Sequence, residues 1–183
     1  MLRHHWQTLG ILALVGVMGC GRPALDDPKL SPQDLDLETY FHGETVAYGQ
    51  FQDRFGTIRR RFKVEISGDW DGDVLTLDER FFYSDGATER RVWRLRKTGA
   101  IGPDQTWEGT ADGVRGVAIG AERGDTFNWR YQFDLPKSGG QGTMAVRFDD
   151  WMWLLEDGRV LNRAYLSRFG VTLGEVTLFF ERR

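Results

Sequence analysis

The chain has 183 residues, with 24 Lys and Arg against 27 Asp and Glu, and its net charge of −3 gives no electrostatic footprint for nucleic acid. A single cysteine excludes an intramolecular disulfide. Of three histidines only His42 lies beyond the first few residues, so no zinc ligand set, and no cofactor motif, is present.

Residues 1–19 have the three-part build of an export signal: a basic head with Arg3, His4 and His5, an apolar run from Leu9 to Met18, and the small residue Gly19. A helix needs about 20 apolar residues to cross a hydrocarbon core of roughly 30 Å, so this run engages the export machinery without spanning. The ending Val17-Met18-Gly19-Cys20 resembles the lipobox of bacterial lipoproteins. That resemblance implies a diacylglycerol thioether on Cys20, cleavage before it and acylation of the new amino terminus. The alternative is an ordinary cleaved signal followed by an unrelated cysteine. Several acyl chains, at about 0.8 kcal/mol per buried methylene, make such an anchor stable. Gly21 stands where an aspartate would mark retention at the inner membrane, which points to the inner leaflet of a Gram-negative outer membrane, facing the periplasm.

Residues 20–38 carry Pro23, Pro28 and Pro32 among polar residues and read as a flexible tether. Residues 39–183 suit one domain. From Tyr40 onward the dominant hydrophobic period is two, as in half-buried strands. Phe62, Val64 and Ile66 alternate with Arg61, Lys63 and Glu65, Arg60 being the one polar residue in the apolar phase. Asp69-Trp70-Asp71-Gly72-Asp73 turns the chain, Leu75, Leu77, Phe81 and Tyr83 form the next apolar phase, and Ser84-Asp85-Gly86 turns it again into Trp93 and Leu95. Phe127, Trp129, Tyr131, Phe133 and Leu135 mark another strand, and further strands are expected at 143–149, 151–155, 159–167 and 171–181. Eight to ten consecutive strands joined by short turns predict an all-β, antiparallel up-and-down meander, closed into a calycin-like or lipocalin-like barrel that has no sticky edges. A two-sheet sandwich is the alternative. Charged outward positions such as Arg59, Arg61 and Lys63 argue against a membrane-spanning barrel.

Tyr40-Phe41-His42-Gly43, Asp53-Arg54-Phe55-Gly56, Leu77-Asp78-Glu79-Arg80-Phe81, Asp85-Gly86, Arg91-Val92-Trp93, Asp149-Asp150-Trp151-Met152, Asn162-Arg163 and Phe169-Gly170 resemble the signature blocks of a bacterial lipoprotein family, domain of unknown function 3833. The resemblance covers residues 40–183 and implies an exported lipoprotein, but no activity. The glycine-x-tryptophan start of true lipocalins is absent, since Thr45 stands at that position.

Two constellations break the alternation. Glu79 shares the apolar phase of Leu77 and Phe81, and Arg91 that of Trp93; a turn centred on Asp85 sets 79 opposite 91. An acid and a base then meet on the apolar face, either as a structural pair that fixes register or as a polar contact for a ligand. A turn centred on Asp157 sets Trp151 opposite Arg163 and Met152 opposite Asn162, so that Arg163 stacks on Trp151 and reaches Asp149 or Asp150, again as a clamp or a binding site. Outside, Arg59, Arg61 and Lys63 stand near Arg90, Arg94 and Arg96, a face read as solvated charge or as a contact for anionic head groups. Asp69-x-Asp71-x-Asp73 has the look of a calcium loop, but Val74 and Arg80 replace its glycine and glutamate.

Three functions compete. The first is a non-enzymatic carrier or sensor holding a small hydrophobic molecule or lipid in the barrel, and the second an envelope-assembly module docking a protein partner. The third is a lipid-acting enzyme using Glu79, Asp149, Asp150 or His42 as acid or base; no catalytic motif supports it.

Overall fold

The computed structural model describes residues 21–137 and 140–183; the signal segment and Cys20 lie outside the described residues. A short helix, α1 (Leu37–Phe41), leads into ten strands: β1 (Gly43–Asp53), β2 (Ile58–Trp70), β3 (Val74–Tyr83), β4 (Thr88–Ile101), β5 (Asp104–Thr110), β6 (Ala118–Arg123), β7 (Thr126–Pro136), β8 (Thr143–Leu154), β9 (Val160–Arg168) and β10 (Val171–Arg182). Each strand pairs antiparallel with its sequence neighbours, and β1 pairs with both β2 and β10, so the meander closes into a barrel. Closure of one continuous sheet rules out the sandwich. The expected strands at 143–149 and 151–155 are a single strand, β8.

Turn chemistry sets the registers. Asp53, Asp71, Asp85 and Asp157 each turn a carboxylate back onto backbone N–H groups two or more residues ahead, and each is followed by a glycine with positive φ. Asp71 Oδ1 accepts from the N–H groups of Asp73 and Val74 at 2.9 and 2.8 Å, so the calcium-like triplet is a turn. With these turns in place, Glu79 lies opposite Arg91 and Trp151 opposite Arg163, as the spacing predicts.

Alternation then sends one set of side chains inward. At the end where β1 begins, Leu75, Ile66, Trp107, Phe127 and Phe180 are buried, and α1 closes that end like a plug. Asp36 caps the helix by accepting from the Thr39 N–H at 2.9 Å. Tyr40 donates its hydroxyl to the Phe180 carbonyl, the Phe41 ring meets Phe180 edge-on at 5.6 Å, and Glu38 pairs with Lys97 on β4. Phe41 comes so close to β2 that a Cβ at Gly68 would lie 1.7 Å from its carbonyl oxygen, and only glycine fits there.

The described part of the segment expected to be a tether lies against the barrel. The Arg22 guanidinium sits 3.9 Å over the Tyr165 ring on β9, and the Ser31 N–H donates to the buried Asp125 carboxylate at 3.1 Å. Leu35 is buried and its N–H donates to the Gly124 carbonyl at 2.7 Å. Composition missed this because these anchors are single residues spaced along a polar stretch.

Outward positions of β2, β3 and β4 carry neutralising pairs: Lys63 with Glu65, Arg90 with Asp78, and Arg96 with Glu108. Of the basic face expected from Arg59, Arg61, Lys63, Arg90, Arg94 and Arg96, four members are compensated, Arg59 pairing with Asp53, while among the described residues Arg61 and Arg94 make no ion pair.

Candidate functional site

The barrel interior is not filled. A cavity of about 480 Å³ runs from α1 to the opposite end, a size in the range of small-molecule sites. Its lining changes along the axis. Near the plug it is made of fully buried Leu37, Phe41, Ile66, Leu75 and Phe127. Towards the other end the lining residues Phe51, Phe62, Tyr83, Phe148 and Val176 are only half-buried and Glu89 is exposed, which makes that end the mouth.

Most of the wall is aromatic. Trp93 meets Trp129 and Tyr131 edge-on at 5.7 and 5.2 Å, and Tyr131 stacks flat on Phe148 at 4.9 Å. Glycines make this possible: a Cβ at Gly109 or Gly120 would strike the Trp129 ring at 2.8 or 2.3 Å.

Halfway down the barrel this apolar wall carries a belt of polar groups from facing strands: Glu79 on β3, Arg91 on β4, Tyr131 on β7, Asp150 on β8 and Asn162 on β9. Asn162 donates its amide to the Asp150 carboxyl and, at 2.9 Å, to the Trp151 carbonyl. Arg91 donates to Glu89 Oε1 at 2.7 Å, and its guanidinium lies 4.4 Å from the Phe133 ring centre. Tyr83 donates to the other Glu89 oxygen at 2.9 Å, while Arg60, the polar residue in the apolar phase of β2, stacks on Tyr83 at 3.5 Å and pairs with Asp85 at 2.8 Å. Hydrogen bonds thus join Tyr83 at the mouth through Glu89 to Arg91 in the belt, with Arg60 stacked on the outer end.

Enclosure changes the acids. Burial pushes the Glu79 carboxyl up to about 7, against the lowering pull of Arg91 and with the Asp150 charge adding to the rise. Burial likewise pushes Asp150 up to about 7, although the Asn162 amide favours its ionised form. Both keep some accessible area because they border the cavity, yet protein surrounds them and bulk water is gone. Burial also raises the Tyr131 phenol well above its ordinary range, so it stays a neutral donor. Arg91 remains charged: burial works against it, but the Glu79 and Glu89 carboxyls and the hydrogen bond to Glu89 outweigh that cost. Among the described residues, Arg91 Nε and Asn162 Oδ1 are buried with no hydrogen-bond partner. Both border the cavity, where a bound polar group could meet them.

The residues singled out from the sequence divide between the two faces. Glu79, Arg91, Asp150 and Asn162 line the cavity; Asp149, Trp151 and Arg163 do not. Glu79 and Arg91 are register partners but form no ion pair, because Arg91 reaches along its own strand to Glu89. The expected clamp of Arg163 on Trp151 with Asp149 or Asp150 is also absent: Arg163 lies 3.9 Å from Glu175, Asp149 accepts from Asn128 at 2.9 Å, and Trp151 stacks on Trp153. Adjacent residues in a strand face opposite ways, so Asp149 and Asp150 cannot share one site. His42 is exposed beyond α1 and takes no part. Tyr83 and Tyr131, expected only as inward strand residues, and Glu89, two positions before Arg91 and so in the same inward phase, also line the cavity. Cys20 lies outside the described residues.

No curated protein matches the sequence. A family model does match, over residues 14–182, nearly the whole chain, and the protein belongs to that family, described as Protein of unknown function (DUF3833).

Proposed function

We propose that this protein is an exported lipoprotein, held by lipid on Cys20 at the outer membrane facing the periplasm, that binds one amphipathic molecule, such as a lipid, in its barrel. The observation that carries the reading is the aromatic cavity of about 480 Å³ with a polar belt at half depth. Such a site accommodates an acyl or similar apolar chain between the belt and the mouth, against Phe62, Phe81, Phe148 and Leu166, with a polar end meeting Glu79, Arg91, Tyr131 and Asp150. Buried, hydrogen-bond-ready groups reward a head group that pairs with them and penalise a pure hydrocarbon. The lipobox-like segment and Gly21 support the address, and the ordered run from Arg22 into α1 supports a domain held close to its anchor.

The full chain, purified from its host membrane and extracted with organic solvent, should yield a stoichiometric amphiphile by mass spectrometry, reduced several-fold in Glu79→Gln and Asp150→Asn variants. An extract with no bound molecule argues against the reading. Two carboxyls near 7 in one cavity also suit acid–base chemistry on a lipid. Incubation with the extracted molecule separates the two: unchanged ligand supports carriage, and a chemically altered product supports catalysis.

A further inference from the structure

The mouth end carries a second feature that the cavity does not explain. The same three residues recur at the β1–β2 and β9–β10 turns, Arg54-Phe55-Gly56 and Arg168-Phe169-Gly170. They are side by side, because β1 pairs with β10 and the Arg54 N–H donates to the Leu173 carbonyl at 2.9 Å. Phe55 is 76% exposed and Phe169 90%. Ile58 and Val171, on the strands that leave these turns, are exposed as well. In each tip the arginine lies 4.7 Å from the centre of its own phenylalanine ring.

Neither phenylalanine is there for the fold. Phe169 has φ +49°, the only positive value at a non-glycine among the described residues, in a two-residue turn that asparagine would fill with less strain. It makes up for that strain with no burial. Strain kept at an exposed aromatic marks a position selected for what it touches outside the molecule.

Charge says what that is. Among the described residues, the exposed Arg54 and Arg61, just behind the tips, make no ion pair; Arg168 makes none either, but it is half-buried and its Nη1 donates to Met144 Sδ at 3.9 Å. The acids near this end are engaged, Asp53 with Arg59, Asp85 with Arg60 and Asp134 with Arg115, while Asp112 on the β5–β6 connection has no ion pair. Exposed phenylalanines beside the unpaired, exposed guanidiniums of Arg54 and Arg61 match an anionic bilayer surface, with rings below the head groups and these arginines among the phosphates. The first described residues lie on the same flank of the barrel, the Arg22 guanidinium resting on Tyr165, three positions before Arg168 on β9.

We infer that the two Arg-Phe-Gly tips insert into a phospholipid bilayer containing anionic head groups, so that the barrel stands mouth-down on the membrane. The inference concerns the tips alone and does not need the cavity to hold lipid. An empty cavity would leave it standing, and tips that stay in water would not touch the cavity reading.

The photo-crosslinking residue p-benzoylphenylalanine, placed at position 55, 169 or 101 of the full chain in vesicles of phosphatidylethanolamine and phosphatidylglycerol with radiolabelled acyl chains, tests this. Ile101 is the control: 73% exposed, the last residue of β4, at the plugged end. Lipid capture at 55 and 169 should exceed that at 101 by about tenfold, given the depth at which interfacial aromatics sit. Equal capture at 101 and 169, or capture at the tips of a protein and no lipid, overturns the inference. Replacing phosphatidylglycerol by phosphatidylcholine should lower tip capture by at least about fivefold, the factor that one arginine near the surface supplies at about 1 kcal/mol; unchanged capture overturns the anionic preference.

Discussion

The two ends of the barrel use the same kind of residue for opposite purposes. At the plugged end Phe41 is 2% exposed, clamped between Phe180 and a glycine that leaves it no slack; at the mouth Phe169 is 90% exposed on a strained turn. One end spends its aromatics on stability and closes the interior. The other gives up stability and leaves the interior accessible. The polar belt lies between them, deep enough to lose bulk water and high enough to meet what comes through the mouth.

The sharpest way to break this contrast is to truncate both rings. Phe41→Ala should cost about 3–5 kcal/mol, as a buried phenylalanine does, whereas Phe169→Ala should change stability by less than about 0.5 kcal/mol. Urea denaturation of the two variants checks both values, and similar losses would erase the distinction. Gly68→Ala should follow at about 3 kcal/mol, because its methyl cannot coexist with the Phe41 carbonyl and α1 must shift.

A smaller effect comes from the belt. Glu79 and Asp150 hold protons more tightly folded than unfolded, so the stability linked to them is full below about pH 4, the unfolded carboxyl range, and is lost as pH rises through about 7. The protein should therefore be more stable at pH 5 than at pH 8. Glu79→Gln should narrow that gap by about 2 kcal/mol, leaving the shares of Asp150 and Glu122, whose carboxyl burial also pushes up to about 7. Thermal unfolding across this range checks it, and an unchanged gap would mean that Glu79 is ionised and solvated. The smallest expected effect is a gain: Phe169→Asn relieves the positive φ and should stabilise the protein by up to about 1 kcal/mol, visible as a rise in Tm, while lowering lipid contact.

Much of this was legible from alternation and turn residues. Period two and the Asp-Gly turns predict the closed meander, and counting outward from Asp85 and Asp157 places residues 79 and 91, and 151 and 163, opposite each other. Competition between partners was not legible. Register brings Arg91 across from Glu79, but Glu89 lies two positions back on the same face and is also held by Tyr83, so the guanidinium goes there. Of the two acids offered to Arg163, alternation sends Asp150 into the cavity, and Asp149 is held by Asn128, so the guanidinium turns to Glu175. The cavity was invisible for a different reason: whether inward side chains fill the space depends on volumes such as those that Gly109 and Gly120 concede to Trp129. The segment 21–36 looks like a linker because its hold on the barrel rests on a few residues, Arg22, Ser31 and Leu35.

The central claim is that the cavity takes an amphiphile, and Ala164 tests it most directly. It is buried on β9 with its methyl on the cavity wall, so Ala164→Trp fills the space from within. Fluorescence titration of the full chain with an anthroyloxy-labelled fatty acid should show saturable binding of one probe per chain, weakened at least about tenfold, or 1.4 kcal/mol, in a variant whose circular dichroism is unchanged. Equal affinity of the two proteins would place the probe outside the barrel and contradict the account.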